Sequence, residues 1–245
     1  MKRDIDLKLE EWVHHSERKP LIVRGARQVG KSWSIGELKR SFKGRVHTIN
    51  LEQRPDWHGV FDLNLDAKRI IAELEVLINS NITTGEDLLF FDEIRACPKA
   101  IMSLRYFFEQ VPDLHVISAG SLLEFTLKEM PFPVGRVQIM DMYPMTFGEY
   151  LEATGHSTMR RLMDEGPKAL SPPIHQQFLE GLRTYFSIGG MPACVSSFAR
   201  MGSIHGVRDI QQDLLATFRQ DFLKYTPYVN TRCLNDVFSA TAQNV

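Results

Sequence analysis

Gly25-Ala26-Arg27-Gln28-Val29-Gly30-Lys31-Ser32, set directly after the apolar run Leu21-Ile22-Val23, is the stretch that decides the fold. It has the form G-x-x-x-x-G-K-[ST]. Two glycines let the backbone curl so that successive N–H groups face one small space. A helix starting near Lys31 adds the positive end of its dipole to that space. In a phosphate-binding loop of this kind the lysine reaches the β- and γ-phosphates, and the Ser32 hydroxyl ligates Mg²⁺. The competing reading is an incidental glycine turn, and the strand before and helix after argue against it.

Such a loop needs an acidic partner for its metal. Leu88-Leu89-Phe90-Phe91 runs into Asp92-Glu93, and four consecutive apolar residues predict a strand buried on both faces. Carboxylates at its C-terminal end stand where α/β sheets bind ligands. Asp92 is then the residue to hold Mg²⁺ through water, and Glu93 the general base that orients or deprotonates an attacking water. The alternative is a helix N-cap followed by its first turn, where acids are also favoured. The acidic pair points to water activation rather than to a kinase.

The remaining pattern alternates strands with helices. Ile5, Leu9, Trp12 and Val13 recur at helical spacing, which predicts an amphipathic helix over residues 4–16. Lys19-Pro20 breaks it. Helices are expected over 32–42, 66–79 and 98–110, and strands over 46–51, 115–121 and 137–142. This is an α/β chain: a P-loop NTPase three-layer sandwich with a five-stranded parallel sheet, over residues 1–150. Beyond Tyr143-Pro144 the strand signal stops. Phe178, Leu182, Tyr185 and Phe186 mark one helix, and Val207, Ile210, Leu214, Phe218 and Phe222 a longer one. Residues 151–245 therefore read as a helical lid or linker subdomain.

Composition excludes several classes. The 245 residues carry 29 basic and 30 acidic side chains, a formal net charge of -1, so no bulk polyelectrolyte character points to nucleic acid. The N-terminus is charged and lacks an apolar leader core. No stretch approaches the roughly 18 apolar residues of a membrane helix. Cys97, Cys194 and Cys233 lack C-x-x-C spacing and read as plain thiols in a reducing cytoplasm. The eight histidines show no metal spacing, and His14-His15 reads as a solvated helix face.

With these residues assembled, the chain resembles a prokaryotic family of AAA-type (AAA+-like) ATPases. The family pairs a G-x-R-Q-V-G-K-[ST] loop with an F-D-E-I-Q…P strand, matched here by residues 25–32 and by Phe91-Asp92-Glu93-Ile94 with Pro98. Further matches are Ala119-Gly120-Ser121-Leu122-Leu123, Phe132-Pro133-Val134-Gly135-Arg136 and Tyr143-Pro144-Met145-Thr146-Phe147-x-Glu149-Tyr150. Gly189-Gly190-Met191-Pro192 and Asp221-Phe222-x-Lys224-Tyr225 complete the set, so the resemblance covers about residues 4–230. Arg95 stands where the family commonly shows Gln. The family usually continues into a winged-helix-like segment and a C-terminal domain of nuclease-like character. The resemblance therefore implies a chain that stops, at Val245, short of that domain.

The resemblance implies Mg-dependent ATP binding and hydrolysis in the cytoplasm, with nucleotide state coupled to movement of the helical part. Gly25, Ala26, Arg27, Gln28, Val29, Gly30, Lys31, Ser32 and Trp33 are expected at the nucleotide, Ser32 and Asp92 at the metal, and Glu93 as base. Ser121 has two readings, a γ-phosphate sensor or a helix cap, with Ser118 as runner-up sensor. Arg136 is either an arginine finger offered to a neighbouring subunit or a solvated loop residue. Arg27 reads as a phosphate or partner contact, or as solvent-exposed. Gly189-Gly190 reads as a helix C-cap or a hinge. ATP is the implied ligand, and a homo-oligomer or DNA are the possible partners. A second function class stands beside the ATPase: a nucleotide-gated binding module that hydrolyses slowly or not at all.

Overall fold

The computed structural model describes residues 1–121, 133, 135–222 and 230–243. Leu122, Leu123, Phe132, Val134, Lys224 and Tyr225, quoted above in family motifs, lie outside the described residues. The chain divides into two compact units, Met1–Glu149 and Tyr150–Val245.

The first unit is built on five strands: β1 (Leu21–Arg24), β2 (Val46–Asn50), β3 (Leu88–Asp92), β4 (His115–Gly120) and β5 (Gln138–Asp141). They pair in the order β2-β3-β4-β1-β5, and every pairing is parallel. Side chains alternate across a strand, and the two faces feed two separate cores. Ile22, Ile49, Leu89, Phe91 and Val116 point to one side, where helices α3 (Ala67–Ile78) and α4 (Pro98–Gln110) cover them. Leu21, Val23, Leu88, Phe90, Ile117 and Ala119 point to the other, under α1 (Asp4–His14) and α2 (Lys31–Ser41). The result is a three-layer α/β sandwich of the P-loop NTPase type.

Local chemistry sets the ends of these elements. The helix expected over 66–79 spans Ala67–Ile78, because the outer two residues are its caps. Asp66 accepts from the Arg69 N–H at 2.8 Å, and Asn79 takes the left-handed conformation (φ 50°) that ends the last turn. β5 is shorter than the expected 137–142. It is an edge strand with exposed or half-exposed side chains, so fewer contacts hold its ends.

The second unit is helical throughout its described residues. The short helix α5 (Phe147–Ala153) leads into it, followed by α6 (Ser157–Asp164), α7 (Pro172–Ile188), α8 (Pro192–Met201), α9 (His205–Phe222) and α10 (Thr231–Gln243). Only α7 and α9 were expected from the sequence. The exposed α6 spans only eight residues and has no buried residue; Met159, Leu162 and Met163 make a stripe too short to mark a helix in the sequence. Tyr150 packs on Tyr185 and Phe198, with ring centroids 5.6 and 6.2 Å apart. Gln211 ties α9 to the end of α7 by donating to the carbonyls of Ser187 and Ile188 at 3.0 Å. Gly189 is the C-cap of α7, at φ 72°. No described helix is long and apolar enough to cross a membrane.

At the N-terminal edge of the sheet, buried Asp87 joins β2 to β3. It accepts from the N–H groups of Thr83 (2.8 Å) and Arg45 (3.0 Å), from Arg45 Nη2 (3.1 Å), and meets His47 Nε2 at 3.1 Å. Burial by itself would raise this carboxyl. The hydrogen bonds from Thr83, His47 and Arg45 and the Arg45 charge outweigh it and hold the group at about 2, below the ordinary 3.8. A depressed carboxyl stabilises the fold above its unfolded value, and that contribution disappears as the pH falls through the folded one. Asp87→Ala is expected to cost about 1–3 kcal/mol at neutral pH. The gap between parent and variant should close between pH 3.8 and 2, as read by urea denaturation across that range.

Candidate functional site

The loop of residues 25–30 leaves the C-terminal end of β1 and enters α2 at Lys31. Gly25 passes against the end of β5: a Cβ there would collide with the carbonyl oxygen of Met142, whose N–H donates to Arg24 at 2.8 Å. Only glycine lets the two backbones come so close. Gln28 (φ 63°) and Gly30 (φ 102°) are both left-handed, and together they invert the chain around Val29. Gln28 is a side-chain-bearing residue in that region, a conformation that persists only when its surroundings enforce it.

Lys31 is buried, and its Nζ donates to the carbonyls of Gly25 (2.9 Å) and Ala26 (2.8 Å). Burial lowers its pKa, while the charges of Glu93 and Asp92 oppose that shift. Ser32 Oγ lies 3.2 and 3.4 Å from the two oxygens of Asp92, donating to that carboxylate. The structure therefore brings together Lys31, Ser32 and Asp92 from two strand ends. Asn50, which the sequence reading missed, completes the group: it is in register with Asp92, and its Nδ2 donates to Asp92 Oδ2 at 3.3 Å. Its own Oδ1 is fixed by the N–H groups of Glu52 and Gln53. The only available signal was its place as the last residue of a strand paired with the acidic one.

Glu93 follows in a left-handed conformation (φ 47°), and its N–H donates to Asp92 Oδ1 at 3.1 Å. It occupies an N-cap position, yet its side chain makes no cap hydrogen bond. Among the described residues, Glu93 Oε2 is buried without a hydrogen-bond partner, and Arg95 Nε lies 4.0 Å from it. Burial raises the carboxyl, Asp92 raises it further, and Lys31 and Arg95 pull it back. The outcome is a carboxylate titrating above its usual range beside an acidic metal-ligand candidate.

The other expected residues take varied positions. β4 lies between β1 and β3, and Ser121 directly follows it, fully buried, its Oγ without a hydrogen-bond partner among the described residues. Ser118 is engaged elsewhere: its Oγ donates to the Leu21 carbonyl at 3.1 Å, inside the sheet. Arg27 is half-buried and Trp33 is 55% exposed. Arg136 is at the opposite end of the sheet, two residues before the β5 position paired with Leu21. There its Nε donates to Glu109 at 3.0 Å and its guanidinium sits 5.8 Å from the Phe108 ring. A cavity of about 650 Å³ lined by His14, Leu38, Phe42, Lys43 and His115 also opens at that far edge.

Ser32 and Asp92 offer oxygen donors alone, and among the described residues no three His, Cys, Asp or Glu side chains converge as a metal cage. Such a set suits a hard cation that keeps waters and shares phosphate oxygens, as Mg²⁺ does.

Residues 17–151 match the family described as an AAA domain, and residues 179–245 match a domain of unknown function. The uncharacterized protein MJ1637 of Methanocaldococcus jannaschii is 22% identical over 200 residues, covering 76% of this chain and 40% of that relative. The chain thus spans less than half the length of this curated relative. A chain in a structure of Drosophila ORC bound to DNA superposes with a TM-score of 0.48 at 13% identity, covering 84% of this chain and 59% of that one.

The close approach at Gly25 makes a direct prediction. Gly25→Ala must displace either the loop or the end of β5, so loop conformation should be lost while the sheet remains. The check is amide hydrogen exchange, with faster exchange expected over residues 25–32 and unchanged protection in β3 and β4.

Proposed function

The chain belongs to the AAA domain family, and on that footing we propose that it binds ATP with Mg²⁺ and hydrolyses it. The observation that carries this reading is the meeting of Ser32 Oγ with both oxygens of Asp92, beside the buried amine of Lys31. Lys31 exchanges the carbonyls of Gly25 and Ala26 for β- and γ-phosphate oxygens, which satisfy the same donors with a full negative charge. Ser32 and Asp92 hold the metal, and Asn50 keeps the carboxylate turned toward it. Mg²⁺ supplies neutralisation of charge on the phosphate oxygens.

Glu93 takes the proton of the attacking water. Its raised pKa supports that role, because a base titrating closer to neutrality accepts a proton more readily. Arg95, near Glu93 Oε2, keeps enough of the carboxylate ionised to act. Ser121 serves as the γ-phosphate sensor, a role supported by its unpartnered buried hydroxyl. Arg136 lies away from the loop of its own chain, so as a finger it serves a neighbouring subunit after leaving Glu109. Nucleotide state is coupled to the helical unit through the chain segment that follows β5.

Phosphate release from Mg·ATP, measured with and without double-stranded DNA, tests the reading. Lys31→Ala should abolish ATP binding. Glu93→Gln should keep it and lose about 10²–10⁴-fold in turnover. Parental turnover in Glu93→Gln overturns the base assignment, and ATP binding without phosphate release in the parent selects the gated-module reading. Because protonated Glu93 is inactive, kcat should fall on the acid side with an inflection above the usual carboxylate range, and this limb should be missing in Glu93→Gln.

A further inference from the structure

Arg3, one residue ahead of α1, reaches the phosphate loop. The residue is 5% exposed. Its Nη1 donates to the Val29 carbonyl at 2.7 Å and its Nη2 to the Tyr143 carbonyl at 2.9 Å. Its Nε donates to Glu149 Oε1 at 2.9 Å, with a longer Nη2 contact to Oε2 at 3.4 Å. Glu149 is 4% exposed and is itself held: Oε1 accepts the Asp4 N–H at 2.7 Å and Oε2 the Thr146 N–H at 2.8 Å.

The place of the first contact gives it meaning. Val29 is the residue between the two left-handed positions Gln28 and Gly30. Its side chain is buried in the core, and its carbonyl is the one Arg3 grips. Turning that carbonyl to Arg3 sets the peptide plane between Val29 and Gly30, within the stretch whose N–H groups face phosphate. A left-handed Gln28 persists only where the surroundings enforce it, and Arg3 supplies an enforcing bond from outside the loop. The same guanidinium fixes Tyr143, next to the Met142 carbonyl that packs on Gly25. The loop is thus fastened at both ends to the segment following β5.

We propose that Arg3 and Glu149 are positioning residues for phosphate binding: Glu149 orients the Arg3 guanidinium, and Arg3 holds the loop at Val29 in its phosphate-accepting shape. The affinity part of this proposal rests on the ATP-binding reading above. It also gives a role to Glu149 of the Tyr143–Tyr150 motif, for which the sequence offered none.

The test compares Arg3→Lys, Glu149→Gln and Ile5→Ala in the full chain. Lysine keeps the charge but cannot reach Val29, Tyr143 and Glu149 together, whereas Ile5→Ala loosens α1 from its core without touching Arg3. Three readouts are taken: thermal unfolding, amide exchange over residues 25–32 without nucleotide, and ATP affinity. Arg3→Lys and Glu149→Gln should both speed exchange in the loop. Both should weaken ATP binding by about 10- to 100-fold, the range for one charge-assisted hydrogen bond, with kcat at saturation changed far less than KM. Ile5→Ala, at an equal or larger drop in melting temperature, should leave loop exchange and affinity near parental values. Unchanged loop exchange in Arg3→Lys and Glu149→Gln overturns the proposal, and so does an equal loss in Ile5→Ala. If the parent fails to bind ATP while loop exchange still depends on Arg3, the ATP reading falls and the positioning role stands.

Discussion

The candidate site depends on the parallel register of β3 between β2 and β4. That register sets Asn50 beside Asp92 and carries Asp92 to within 3.2 Å of a hydroxyl that starts a different helix. A parallel sheet ends its strands on one side, so residues sixty positions apart (Ser32 and Asp92) meet without any loop having to search for the other. The apolar run ahead of Asp92 makes this placement rigid. Phe91 packs edge-on between Phe61 and Phe107, with ring centroids 5.9 and 6.0 Å away, so the strand cannot slide without opening the core.

Electrostatic balance at this edge follows from crowding. Asp92 and Glu93 are adjacent carboxyl groups, and Lys31 and Arg95 are the cations that act on Glu93. Lys31 donates to neutral carbonyls, and Arg95 Nε lies 4.0 Å from Glu93 Oε2. A site that satisfied all its charges internally would gain little from a polyphosphate and its metal. In the proposed ATP complex the lysine would trade neutral acceptors for charged ones, while Asp92 accepts from the Ser32 hydroxyl and the Asn50 amide. At the opposite edge of the sheet, by contrast, Asp87 is fully satisfied by donors and serves to join strands.

Much of this was legible in the chain. The loop, its flanking strand and helix, the acidic strand and most element boundaries in the first unit follow from periodicity, because local propensity and burial agree there. Asp66 and Asn79 moved from the ends of a helix to its caps, a shift of one residue each. Legibility fell in the second unit. The exposed α6 and the helices α8 and α10 were not foreseen. Asn50 gave no sign of its contact with Asp92, since an asparagine ending a strand reads first as a turn residue. Ser118 shows the reverse: a polar residue near the site by sequence, spent on the Leu21 carbonyl within the sheet.

What the sequence by itself determined is the kind of chemistry. Gly25, Gly30, Lys31, Ser32 and the Asp92-Glu93 pair carry the proposed phosphate and metal recognition through residue type and spacing, both properties of a short segment. The tertiary structure alone decided which distant groups meet the loop and which do not. Arg3 reaches Val29, Tyr143 and Glu149 across separations of 26, 140 and 146 residues, and Arg136 lies at the far end of the sheet from the loop. Hydrogen bonds are short and directional. Which distant partners come within their reach is set by strand order and helix docking, and no local pattern encodes either.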